Sequence, residues 1–212
     1  MYSQIAHIVW YVFVVAVSVI LAEIARGYTA YTEGDPTPKN AHRLNANIFS
    51  HIDIIGTILL PLILLVSQSG FVIGWARHIP INEHKLHHKK KSIKKIALAG
   101  LLVHICIAFL ATILVRYMVM QGVYSGPLVV GFTTFAIVNY LLLLFNLLPV
   151  PPLDGAKLFL SSVPDKHHHT KKVLQFYAVP ILLILVVLLW QYLFSTIDFL
   201  FKLIIGVHIT PV

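Results

Sequence analysis

Asp154 is the residue best placed to do chemistry, because of what precedes it. The stretch from Asn146 to Gly155, NLLPVPPLDG, sets Pro149, Pro151 and Pro152 directly after an apolar run from Leu128 to Leu148. Each proline lacks an N–H and its ring collides with the turn before it, so a helix arriving here has to unwind. Unwound backbone at membrane depth survives only where protein or a wet cavity satisfies its polar groups. A carboxylate at the end of such a break, followed by the permissive Gly155, is costly to hold and marks a functional site. Alone it would bind a hydrated cation only weakly, so partners must come from elsewhere. His84, His87 and His88 have the i, i+3, i+4 spacing that could hold a metal on a helix surface. They lie in a basic run, His84 to Lys95, and read as a solvated loop at anionic headgroups, as do His167, His168 and His169.

The elements that would position Asp154 are membrane spans. Of 212 residues, 58% are hydrophobic and 11% charged, and the mean hydropathy is +0.84. That composition excludes a soluble domain and predicts an all-α polytopic membrane protein with a single domain over residues 1–212. Four crossings are expected, at 5–24, 96–115, 128–148 and 173–194. Ile54 to Val66, with Gly56 and Pro61 inside it, is short and reads as re-entrant. Phe199 to Val207 either continues the last helix or lies in the interface. A cleaved signal peptide is the other reading of the first stretch, but the run is long for one and no Lys or Arg precedes it. The formal charge of +8 reflects loops facing anionic lipid, and no nucleic-acid partner is expected. The single Cys106 excludes an intramolecular disulfide.

The Asn146–Gly155 stretch resembles the N-x-x-P-x-P-x-x-D-G motif of the site-2 protease family, the intramembrane zinc metalloproteases. The resemblance implies that Asp154 stands where the family has its third zinc ligand, with the first two ligands on an HExxH helix. In register with that motif this chain reads Ala22-Glu23-Ile24-Ala25-Arg26. Positions 22 and 26 share a helix face, as two ligating imidazoles must. Ala22 has no donor atom, however, and Arg26 is permanently cationic and cannot ligate a cation. Glu23 alone matches, at the family's general-base position. Gly34 to Pro61, with Gly34-Asp35-Pro36, Arg43 and His51-Ile52-Asp53, is similar to the family's polar loop, and Gly74 to Asn82 to its G-W-A-[KR]-x-[IV]-P-[IV]-N. At Leu98-Ala99-Gly100-Leu101 the family has L-A-G-P, and His104 replaces an Asn implied to hold substrate; from its residues alone, His104 is a helix-packing histidine.

Topology tests the resemblance, since Glu23 and Asp154 can meet only at one membrane face. A re-entrant 54–66 puts Arg26, Lys39, Arg43, the run from Arg77 to Lys95, Lys157, Lys166, Lys171 and Lys172 on that face, with Arg116 alone opposite. A true crossing would move Arg26, Lys39 and Arg43 across to join Arg116. The first arrangement fits the positive-inside rule better and makes the motif end cytoplasmic, in a bacterial cytoplasmic membrane.

With one zinc ligand of three matching, no zinc is expected, and Glu23 would face water of pKa near 15.7. Arg26 is placed to replace the metal by pairing with Asp154, with Glu23 at i−3 as second partner; the rival is that it snorkels to the headgroups. The resulting expectation is a pseudoprotease whose partners are the bilayer and transmembrane segments that it binds without cleaving. The alternative is an active metalloprotease with substitute ligands such as His104 or His51. A small transporter would show two-half symmetry, and none is visible.

Overall fold

The computed structural model describes residues 2–45, 47–54, 59, 63, 77–162, 173–174 and 176–205. Most of the re-entrant stretch 54–66, residues 74–76, and His167 to His169 with Lys166, Lys171 and Lys172 lie outside the described residues. Every regular element among those described is helical, as expected: α1 Tyr2–Thr32, α2 Thr37–Asn40, α3 Ile48–His51, α4 Lys89–Met120, α5 Pro127–Asn146, α6 Asp154–Ser162 and α7 Ala178–Ile205. Ala6–Thr32, Lys89–Met120 and Pro127–Asn146 are long and apolar enough to cross a membrane. The packing is that of a bilayer protein. On α4 the large Phe109 and Leu110 face outward while Ala108, Ala111 and Thr112 are buried, as expected where lipid covers the big apolar side chains and small residues let helices approach.

The helices overrun the stretches read from hydropathy. α1 continues past Ile24 to Thr32 because the polar residues of its last turns bond inward rather than fraying. It then stops in a Schellman motif. The N–H of Asp35 bonds the carbonyl of Ala30 and that of Gly34 bonds the carbonyl of Tyr31, with Gly34 at φ +104°. α4 begins at Lys89 rather than Ile96; lysine is a good helix former, and Lys95 and Ser92 are anchored on Glu33. α5 closes at Asn146, not Leu148, since the residue before Pro149 is driven out of the helical region. The last helix runs Ala178–Ile205, not 173–194, so Phe199 to Ile205 continues it. Pro180 falls in its first turn, where the missing N–H has no helical partner to lose.

The described chain forms two compact units, Met1–Val103 and His104–Val212. In the first, Ala30, Leu86 and Ile96 form a buried apolar cluster with Ile81 and Ile93 against it. In the second, Ala108, Ala111, Ala136, Tyr140, Ile197 and Phe201 pack together, and the Tyr140 and Phe201 rings meet edge to face at 6.1 Å. Arg116 donates from Nη1 to the carbonyl of Ile204, a cation at the C-terminal end of α7.

Candidate functional site

In the first unit the site is built on α1. Glu23 is 4% exposed and Arg26 6%, and Ala22 is fully buried. Three donors hold the Glu23 carboxylate. Its Oε1 accepts from Arg26 Nη1 at 2.9 Å and lies 2.9 Å from His78 Nδ1. Its Oε2 accepts the backbone N–H of Ile79 at 2.9 Å. A buried carboxylate needs such partners, because desolvation without them costs several kcal/mol (roughly). The i, i+3 spacing on α1 supplies the first, and the extended segment 77–82 supplies the other two. Arg26 is not stretched along an exposed surface. Its guanidinium lies over Gly100 of α4, where an added Cβ would sit 2.3 Å from Nε.

Segment 77–82 is pinned along its length. The Arg77 N–H donates to the carbonyl of His51, the Arg77 carbonyl accepts from Arg43 Nη2 at 2.7 Å, and the Asn82 N–H donates to Asp35 Oδ2 at 2.6 Å. Asp35 also accepts the N–H of Thr37 through Oδ1, so the Gly34-Asp35-Pro36 turn doubles as an anchor. Glu33 joins α1 to α4, accepting from Ser92 Oγ at 2.7 Å and from Lys95 Nζ at 2.6 Å. These bonds hold its carboxyl below the usual carboxylate range, Lys95 first and Ser92 next.

In the second unit α5 ends at Asn146, whose Nδ2 donates to the Leu142 carbonyl at 2.8 Å. Residues 147–153 then turn without helix, Pro149 exposed and Val150 buried, and α6 starts at Asp154. The predicted break is there. Asp154 is 2% exposed, sits where a helix N-terminus favours an anion, and pairs with Lys157 at 3.0 Å. Gly155 is needed for a reason other than flexibility. A Cβ there would lie 2.2 Å from the Leu147 carbonyl oxygen and 2.6 Å from that of Leu148, so the start of α6 rests directly on the broken end of α5. His104 is buried with Nδ1 3.0 Å from Asn139 Oδ1, while Asn139 donates to the Phe135 carbonyl. His51 is buried with Nε2 3.0 Å from the Asn45 carbonyl.

The two helix positions where the family resemblance calls for histidines offer zinc no ligand. Position 22 offers no atom, and position 26 offers a cation already bonded to Glu23. His104 Nδ1 lies against Asn139 and His51 Nε2 against the Asn45 carbonyl, which leaves each imidazole its second ring nitrogen. Among the described residues no three His, Cys, Asp or Glu side chains gather as a metal-holding group. His78, the Ile79 N–H, Gly100 and Glu33 were not singled out as site residues from sequence. His78 lay within a motif quoted only for its resemblance, and a hydrogen bond spanning 55 positions leaves no periodic trace.

Fold and composition define a multi-pass, all-α membrane protein whose buried acid is bound by protein donors. The chain is 33% identical over 172 residues to the protein named "Putative zinc metalloprotease YwhC" of Bacillus subtilis (strain 168), covering 77% of this chain and 74% of that one. It therefore belongs to that protein's family, the site-2-protease-like membrane proteins. No protein-family model matches the chain, and no solved structure does.

Proposed function

We propose that this chain is a pseudoprotease: a site-2-protease-like protein of a bacterial cytoplasmic membrane, with its motif end cytoplasmic, that binds transmembrane segments without cleaving them. The observation that carries the reading is the state of Glu23. A general base must be free to take a proton from a water polarised by a metal. Here both carboxylate oxygens are engaged, by Arg26, His78 and the Ile79 N–H, and Arg26 stands where the family resemblance calls for a histidine. Glu23 acts as a fixed structural anion, Arg26 as its tethered counter-ion, and Ala22-Glu23-Ile24-Ala25-Arg26 as a degenerate HExxH.

Elemental analysis of the purified protein, paired with a cleavage assay on a model transmembrane substrate, tests this. We expect no stoichiometric zinc and no cleavage, while site-specific photocrosslinking from the membrane core captures the uncut substrate. Stoichiometric zinc that Asp154→Ala abolishes, together with cleavage, would establish the active enzyme with substitute ligands instead.

A further inference from the structure

We infer that Arg43 and Arg77 form a binding site for the phosphate headgroup of an anionic phospholipid at the membrane face where α1 ends and α4 begins. Arg43 is 7% exposed, in the loop after α2. The one hydrogen bond of its guanidinium among the described residues runs from Nη2 to the Arg77 carbonyl. Its Nε–H is buried with no acceptor, and no carboxylate pairs with it among the described residues. A guanidinium carries five N–H donors in a fork shaped for carboxylate or phosphate. Burying one with a single carbonyl partner is costly unless an anion completes it.

The surroundings say what kind of anion. The next cation is Arg77, exposed beside it. Its charge, after burial itself, pushes the Arg43 guanidinium down from its ordinary value, and the negative Glu23 offsets this only in part. Glu23 is already taken by three donors, so two like charges share a corner without a counter-ion of their own among the described residues. Both lie in the connection between two helices of membrane-crossing length, Ala6–Thr32 and Lys89–Met120. That connection carries the exposed Lys85, and the first turn of α4 the exposed Lys89, Lys90 and Lys91, of which Lys89 pairs with Glu83. A basic connection at a bilayer surface meets lipid phosphates first, and two arginines can grip one phosphate through several charge-assisted bonds.

Native mass spectrometry and thermal unfolding of the intact protein, titrated with phosphatidylglycerol, phosphatidylcholine and inorganic phosphate in separate arms, test it. Phosphatidylglycerol should bind and raise the melting temperature, and phosphatidylcholine should not. Arg43→Gln and Arg77→Gln should each weaken phosphatidylglycerol by about tenfold, the loss of one charge-assisted contact. Lys91→Gln should change it little. Arg77→Gln, at an exposed position, keeps the test open if Arg43→Gln misfolds. Equal response to both lipids, full binding by a folded Arg77→Gln, or a loss in Lys91→Gln as large as in Arg77→Gln would each overturn the site. A response to inorganic phosphate alone would overturn its assignment to lipid.

Discussion

Arg26 and Gly100 fit each other at the scale of single atoms. A methyl at position 100 would intrude on the guanidinium to 2.3 Å from Nε and 2.5 Å from Cζ, and Glu23 prevents the guanidinium from swinging away. Gly100→Ala should therefore lower stability by about 1–3 kcal/mol, the usual cost of overpacking. In an Arg26→Ala background most of that cost should vanish, and a double-mutant cycle by thermal unfolding measures the coupling. Glu33 gives the second residue-level expectation. Its folded carboxyl titrates below its unfolded one, so the stability it lends is complete above the unfolded value of about 4.3 and fades as pH falls through that value to the folded one. Amides at the start of α4 should exchange faster as pH drops from about 5 to about 3, once intrinsic rates are corrected, and Glu33→Gln should flatten that dependence.

At the scale of elements, the proline break was legible and its packing was not. Three prolines in four positions forbid a continuing helix whatever surrounds them, so Asp154 could be placed at the far side of a break from sequence alone. That α6 would then lean on the Leu147 and Leu148 carbonyls is a tertiary contact, and Gly155 looked merely permissive. Gly155→Ala should cost more than Gly122→Ala. Position 122 has open space around it and only its φ of +79° to lose, worth about 1–2 kcal/mol; position 155 meets backbone on both counts and forces α5 and α6 apart. Thermal stability of the two variants ranks them. The apolar runs at 5–24, 96–115, 128–148 and 173–194 fall on α1, α4, α5 and α7, and the helices do not stop where the runs do. α1 and α4 each extend by turns of polar residues that satisfy one another, through Glu23 with Arg26 and Glu33 with Ser92 and Lys95, and hydropathy cannot register such bonds.

For the molecule as a whole, membership of a site-2-protease-like family has to be held together with an alanine at position 22 and an arginine at position 26. Composition points to the membrane class, and the Asn146–Gly155 stretch with the Gly34–Pro61 and Gly74–Asn82 segments points to the family. The anchoring of segment 77–82 to Glu23 needed coordinates, since it joins residues far apart in sequence through backbone groups that any residue carries. If the scaffold is a decayed enzyme, Ala22→His with Arg26→His should restore zinc uptake, read by elemental analysis, and adding Asp154→Ala should remove it again. Failure of the double variant to take up zinc while remaining folded would count against the decay.

The cation that Glu23 holds is a side chain of its own helix, one turn away. Ions that come and go leave a protein open to chelators, to metal starvation and to competition from other ions. A partner joined by peptide bonds cannot be stripped out or exchanged, so this acid keeps its occupant from synthesis to degradation, whatever the cell's supply of metal.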